Sequence, residues 1–92
     1  MSSLVEHQQD CIRLLGRPWT KVHIWLDAKF AQHGEMHRHC RHHSEGIEVI
    51  RQRWGPEAAS AAERHVIMDC GHIPNAQDYE AGTVDYLGRQ KQ

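Results

Sequence analysis

Residues 33–46, HGEMHRHCRHHSEG, contain five histidines, two arginines and one cysteine in fourteen positions. An imidazole ring can bind a metal, carry a proton or stack on a nucleic-acid base, and a guanidinium group pairs well with phosphate. Three kinds of chemistry are therefore open to this segment. They are metal coordination, catalysis with the cysteine, and the binding of a polyanion.

Metal coordination is suggested by histidines four residues apart, because such residues share one face of a helix. Two such pairs occur in the segment, but they point in different directions around a helix. A metal-binding helical protein, or a metal-dependent hydrolase, is therefore an alternative function for this chain. Its ligands would be two or more of the residues His33, His37, His39, His43, His65 and Asp69.

Nucleophilic catalysis would pair Cys40 or Cys70 with a histidine, and Asp69 would orient the ring. Neither cysteine lies in a glycine-rich turn that would expose its thiol, and a lone helical cysteine is more often a small buried hydrophobe. We therefore expect no catalytic residue and no enzyme. The histidines could also form a structural polar core.

Polyanion binding is favoured by residues 37–43, which contain no acidic side chain. Arginine offers a planar fork of donors that suits phosphate, and imidazole can donate hydrogen bonds and stack on bases. The three tryptophans supply either core area or interface anchors. The expected residues for binding RNA or a partner are Arg38, Arg41, His37, His39, His42, His43, Lys29, Arg51 and Arg53.

Length and composition set the frame for these residues. A chain of 92 residues supports one hydrophobic core, so residues 1–92 are expected to form a single domain. The net charge of −1 gives the whole chain no general attraction for nucleic acid or membrane. Three cysteines without a CxxC pair argue against a disulfide framework and favour a reducing cytoplasm. No apolar run reaches membrane length and no signal peptide is recognisable, so we expect neither insertion nor export.

The elements that must position these residues are mainly helical. Residues 4–15 predict a first amphipathic helix, capped by Ser2 or Ser3, that buries Leu4, Val5, Gln8, Cys11, Ile12 and Leu15. Residues 18–26 alternate between apolar and polar and predict a short β-hairpin or an extended segment.

A long second helix is expected from Ala28 to about Ser44, with Asp27 as its N-cap, and helix resumes from Ile47 to Trp54. Pro56 and Gly71 bracket a further helix. The tail from about residue 80 is expected to be loose. The predicted fold class is therefore mainly α, a small bundle of about three helices.

Three blocks of sequence carry a family resemblance: HIWLDAKF, MHRHCRHHSEGI and RHVIMDCGHIPNAQDY. They resemble a pattern found in a family of small phage and bacterial proteins. Members of that family often carry an insert of strand character between the second and third blocks, where this chain has only WGPEAASAAE. The matched positions are His23, Trp25, Asp27, His37, Arg38, His42, His43, Gly46, Ile47, His65, Val66, Asp69, Gly71, Ile73, Pro74 and Asp78.

The chain as a whole also resembles the type I-F anti-CRISPR proteins of phages. This resemblance implies a small inhibitor without enzymatic activity or cofactor, made in the cytoplasm of the infected bacterial host. Its implied partner is the type I-F (Csy) surveillance complex, with its Cas protein subunits and guide RNA (crRNA). It would block pairing between guide RNA and target DNA, and we expect it to bind as a monomer. The family pattern names no binding residues, so their assignment rests on the arginines and histidines above.

Overall fold

The structure, a computed structural model, describes residues 3–91 of the chain. Within this range the protein is mainly helical and has no β-strand, which confirms the predicted fold class, but the expected count of about three helices is too low. The helices are α1 (Leu4–Leu15), α2 (Thr20–Asp27), α3 (Phe30–His33), α4 (Arg38–Arg41), α5 (Ser44–Trp54), α6 (Pro56–Cys70) and α7 (Ala76–Ala81), with a 3₁₀ turn at Gly34–His37.

Helix α1 has the predicted ends but not the predicted buried face. Ser3 and Glu6 form a capping box at its start, and Gly16 ends it in the left-handed conformation. The side chains that α1 buries are His7, Asp10 and Cys11. The predicted apolar face is largely exposed instead. Its exposed aliphatic residues are Leu4, Val5, Ile12 and Leu15.

Residues 18–26 do not form a hairpin or an extended segment, because Thr20–Asp27 is helical. The inward residues Val22, His23 and Leu26 follow helical spacing, and all three are fully buried. The alternation of apolar and polar residues therefore gave a wrong prediction, because the buried residues of this segment follow the period of a helix and not the two-residue period of a strand.

The predicted long helix from Ala28 to Ser44 is broken into short pieces. Gly34 adopts φ 59° and ψ −137°, a backbone conformation that favours glycine and cannot continue a helix. A second turn follows at His42, and His43 caps α5 by accepting a hydrogen bond from the Gly46 amide at 2.9 Å. These breaks turn neighbouring side chains of the histidine-rich segment in different directions.

The core lies between α5 and α6, with α1 and α2 packed against α6. Pro56 begins α6 and Gly71 ends it, as predicted. Four buried alanines of α6 let the neighbouring helices approach closely, since a methyl group occupies little space. The buried apolar residues are Cys11, Trp19, Val22, Leu26, Ile47, Ile50, Ala58, Ala59, Ala61, Ala62, Val66 and Cys70.

The segment after residue 80 lies against the body of the protein. Val84 is buried and pairs with Gln90 in an isolated antiparallel bridge. The carbonyl oxygens of Leu87 and Gly88 contact Arg38 and His72, respectively. Residues 82–91 therefore pack on the helices and do not extend away from them as a loose tail. No helix within residues 3–91 combines the length and apolar character needed to cross a membrane.

Candidate functional site

Two repeats of the same spacing, histidine followed four residues later by aspartate, meet in the interior. His23 and Asp27 share one face of α2, and His65 and Asp69 share one face of α6. Because α2 packs against α6, the two pairs face each other. His42, in the turn after α4, completes a cluster whose three histidine rings are fully buried.

Four donor atoms of this cluster converge on one point. His42 Nε2 and His65 Nε2 are 3.1 Å apart. Asp69 Oδ2 lies 3.1 Å from His42 Nε2 and 3.2 Å from His65 Nε2. Asp27 Oδ1 lies 3.4 Å from each of the two nitrogens. We call Asp27, His42, His65 and Asp69 the four-ligand cluster.

Further histidines surround the four-ligand cluster. His23 Nδ1 lies 2.9 Å from His65 Nδ1, and His23 Nε2 lies 2.9 Å from the carbonyl oxygen of Pro18. His7 stacks on the His65 ring with the centroids 3.6 Å apart, and its Nε2 lies 3.2 Å from Asp69 Oδ1. His37 Nε2 contacts Asp27 Oδ1 at 3.1 Å. The ligand atoms are thus held by a second layer of imidazoles.

The electrostatics of the cluster depend on burial and on these contacts. Burial lowers the pKa of His42 to about 4, and the contact with Asp69 opposes this only in part. Burial, with the neighbouring His65 and His7, also lowers the pKa of His23 to about 4. Burial acts to lower the pKa of His65 as well, but its contacts with Asp27 and Asp69 outweigh burial and raise that pKa.

The two carboxyl groups respond in the opposite way. Burial alone would raise the pKa of Asp69, but contacts with His42, His65 and His7 outweigh it and hold that pKa well below its usual value. Asp27 behaves similarly, because contacts with His37 and His65 outweigh burial and lower its pKa. The cluster is therefore arranged to hold positive charge between two carboxylates, either as a proton on His65 or as a metal ion.

Arg38 does not lie on the surface as the sequence prediction required. Its side chain is 2% exposed, and its Nη1 donates to the carbonyl oxygens of Asp69 at 3.0 Å and Leu87 at 2.8 Å. The guanidinium group thus ties the C-terminal end of α6 to the segment after α7. Its role in the structure is to hold these two parts of the backbone together.

The nine residues predicted to bind RNA or a partner do not form one exposed face. His37, His42 and His43 are buried like Arg38, because the helix breaks turn them inward. His39, Arg51 and Arg53 are exposed, whereas Lys29 and Arg41 are half-buried. The prediction of a continuous surface through residues 37–43 is therefore wrong, because Arg41 is half-buried and His39 is the one exposed member of the predicted set in this range.

Two exposed cations, Lys21 and Arg53, and the half-buried Arg41 lie beside two half-buried tryptophans. Arg41 stacks on the Trp25 ring at 4.0 Å from its centroid, and the Trp54 ring is approached by Arg53 at 4.9 Å and by Lys21 at 5.6 Å. Lys21 and Trp25 are one turn apart on α2, so the two groups adjoin. We call Lys21, Trp25, Arg41, Arg53 and Trp54 the cation–aromatic strip.

The metal ligands proposed from the sequence are also scattered, apart from His65 and Asp69. His33 is exposed and meets His39 edge to face, His37 binds Asp27, and His43 caps α5. These four histidines do not converge with His65. Of the six candidate ligands, the structure therefore brings together His65 and Asp69.

The cysteines proposed as nucleophiles lie in different surroundings. Burial raises the pKa of the Cys70 thiol, which disfavours the thiolate needed for attack. The Cys40 sulfur lies 3.5 Å from His39 Nε2 near the surface. Neither cysteine is part of the four-ligand cluster.

Sequence reasoning missed His7 and did not select Asp27, His23 or His42 as metal ligands. One signal for two of these residues was present, namely the repeated spacing of His23 with Asp27 and of His65 with Asp69. The contribution of His42 depends on the turn after α4, which no local pattern indicated. His7 lies on the face of α1 that was expected to be exposed, because the spacing of the apolar residues predicted that the opposite face is buried.

The fold and these sites define a small helical protein with a histidine- and aspartate-lined interior. Residues 2–85 match the family model of a domain of unknown function, DUF6915, and the chain belongs to that family. No curated protein and no solved structure matches the chain.

Proposed function

We propose that the protein is a non-enzymatic inhibitor that docks on the type I-F (Csy) CRISPR surveillance complex. It blocks pairing between the guide RNA and target DNA, as a monomer in the cytoplasm of the infected bacterial host. The cation–aromatic strip is the structural observation that carries this proposal. The resemblance of the whole chain to type I-F anti-CRISPR proteins supports the choice of partner.

The strip has the chemistry that single-stranded RNA requires. Its three cations contact tryptophan rings and, among the side chains that the structure describes, none forms an ion pair. Lys21 and Arg53 are exposed and can meet phosphate groups, whereas Arg41 is half-buried and donates from Nη1 to the carbonyl oxygen of Trp25 at 2.8 Å. A partly exposed ring can stack on a base, a contact worth about 1 to 3 kcal/mol.

The acidic residues of α5 suit the protein part of the same partner. Glu45 and Glu48 are exposed on this helix beside the exposed Val49. Such a surface favours basic protein subunits, whereas the strip favours guide-RNA phosphates. A chain with a net charge of −1 can therefore bind both components through separate faces.

The proposal gives the residues of the three blocks a structural role. Arg38, His42 and His65 stabilise the interior of the protein. The RNA is bound instead by the cation–aromatic strip and by other accessible cations. Arg51, Lys29 and His39 remain accessible enough to extend that surface.

The test measures capture of labelled target DNA by the assembled surveillance complex as protein is added. We expect the wild-type protein to abolish capture near one equivalent. The double variant Lys21→Glu, Arg53→Glu should need at least about tenfold more protein, because phosphate contacts become repulsive. The matched control, Arg89→Glu with Lys91→Glu, makes the same change of net charge at two exposed positions of the C-terminal segment.

Circular dichroism and thermal melting must show that the double variant is folded. Full inhibition by a folded double variant would show that the strip is not the RNA-binding surface. Unchanged DNA capture at saturating wild-type protein would contradict the proposed function itself.

A further inference from the structure

We propose that Asp27, His42, His65 and Asp69 form a tetrahedral binding site for a divalent metal ion, and specifically for Zn²⁺. The ligands come from α2, from the turn after α4 and from α6. A bound ion would therefore join three separate parts of the fold.

The spacing of the four atoms fits a tetrahedral ion. Zinc binds imidazole nitrogen and carboxylate oxygen at about 2.0 to 2.2 Å, so neighbouring ligand atoms around a tetrahedron lie about 3.3 to 3.6 Å apart. In the structure, the five distances that involve a histidine nitrogen run from 3.1 Å for His42 with His65 to 3.4 Å for Asp27 with either histidine, and all four atoms lie within 4.8 Å of one another. Small outward shifts of the rings would complete the coordination geometry.

The hydrogen bonds around His65 direct a lone pair into the cluster. A carbonyl oxygen can only accept, so His23 Nε2 must donate to Pro18, and the neutral His23 ring then accepts at Nδ1. The His65 Nδ1 atom, 2.9 Å away, must be the donor to it. Neutral His65 therefore has its unprotonated Nε2 turned toward both carboxylates, and that atom can serve as a metal ligand.

Charge balance also favours a bound cation. Asp69 is 3% exposed and its carboxylate lies among fully buried rings, a setting in which an unpaired charge is costly. Two carboxylates and two neutral imidazoles around one Zn²⁺ give a neutral interior. Asp27 is 37% exposed, so it lies at the rim and offers a path for the ion to enter.

A second group of three histidines, His7, His23 and His65, is less suited to a metal. The His7 and His65 rings are stacked at 3.6 Å with only 11° between their planes. Lone pairs lie in the plane of an imidazole ring, so the lone pairs of two stacked rings lie in separate, nearly parallel planes and do not meet at one ion. His7 Nε2 instead lies 3.2 Å from the second oxygen of Asp69.

The site has the character of a structural metal centre. Four protein ligands fill a tetrahedral zinc ion and leave no position for water or substrate. The expected consequence of binding is therefore added stability and not hydrolysis.

The first experiment uses the full chain made without an affinity tag, stripped with a chelator and titrated with zinc. We expect calorimetry to give one zinc per chain, with the melting temperature rising until one equivalent has been added. Cobalt in place of zinc should give the intense visible absorption of tetrahedral Co²⁺. If zinc neither binds nor raises the melting temperature, a proton on His65 accounts for the cluster and the proposal is wrong.

The second experiment compares two variants. Asp27→Asn alters the most exposed ligand, so the fold should survive while zinc affinity falls at least about tenfold. The double variant His33→Gln, His39→Gln removes two exposed histidines outside the site and should bind zinc like the wild type. Equal binding by Asp27→Asn, or loss of binding in the double variant, would place the metal elsewhere. If Asp27→Asn does not fold, the cobalt spectrum of the wild-type chain decides the question.

Discussion

The guanidinium group of Arg38 donates to the carbonyl oxygen of Asp69 at 3.0 Å, directly behind the carboxylate that faces His42 and His65. The same side chain reaches Leu87 in the C-terminal segment. One buried arginine therefore supports the end of α6, the position of Asp69 and the packing of residues 82–91.

Replacing Arg38 with alanine should destabilise the protein by about 3 kcal/mol, because one buried and one partly buried carbonyl group lose a charged donor. Denaturant unfolding measures the loss. Arg51→Ala removes an arginine that is 41% exposed and pairs with Glu48, and should change stability by less than about 1 kcal/mol. Similar small effects for both variants would mean that Arg38 is not a structural residue.

Because the apolar face of α1 is exposed, we expect the protein to tolerate polar substitutions on this face. Ile12 is 51% exposed, so Ile12→Gln should change the free energy of unfolding by no more than about 0.5 kcal/mol. Val22→Ala, at a fully buried position of α2, should cost about 2 kcal/mol. Urea unfolding of the two variants measures these free energies. A large loss of stability in Ile12→Gln would show that the apolar face of α1 is part of the core.

Gly46 allows α5 to approach the end of α4. A Cβ atom at this position would collide with the backbone carbonyl oxygen of Arg41, which cannot move aside as a flexible side chain could. Gly46→Ala should therefore cost about 1 to 3 kcal/mol, measured by thermal or urea unfolding. Val49→Ala on the exposed side of the same helix is the control and should be nearly neutral. Wild-type stability in Gly46→Ala would contradict the close approach of these backbones.

Asp10 gives a dependence of stability on pH that is separate from the histidine cluster. Arg64 donates to its carboxylate from Nε at 3.1 Å and from Nη2 at 3.2 Å, and this pairing, with Arg13 nearby, lowers the pKa of Asp10 below 3.8. A carboxyl group whose pKa is lower in the folded protein than in the unfolded chain stabilises the fold at any pH above the pKa of the unfolded chain. This stabilisation is lost as the pH falls through the pKa of the folded protein.

The stability difference between the wild type and Asp10→Asn should therefore stay constant from pH 7 to about 5 and shrink as the pH falls toward about 3. Urea unfolding across this range measures it, and effects of the histidines cancel in the difference. Glu80→Gln on α7 should show no comparable loss. A difference that grows on acidification would mean that the pairing with Arg64 is absent.

Local signals in the sequence predicted the ends of several elements. Ser3, Gly16, Pro56 and Gly71 act through hydrogen bonds or backbone preferences within a few residues, so their effects can be predicted without knowledge of the fold. The same holds for the break at Gly55 between α5 and α6. The mainly helical class followed from such signals.

The buried face of α1 and the location of the site could not be predicted in this way. Apolar spacing placed Ile12 inward, but contacts with Asp69 and Arg64 from α6 draw His7 and Asp10 into the interior instead. Similarly, Gly34 turns the chain so that His37 and His42 point inward while His39 stays outside. Both outcomes depend on pairings between distant parts of the chain, which a single sequence does not display.

An interior rich in imidazole and carboxylate also shapes how the protein responds to temperature. Hydration of apolar surface raises the heat capacity of the unfolded chain, and hydration of polar surface lowers it. Among the residues whose burial the structure describes, nine buried residues are polar or charged, and four of the buried apolar residues are only alanines. We therefore expect unfolding to change the heat capacity less than is usual for a chain of this length, so that the free energy of unfolding varies only gently between cold and warm conditions.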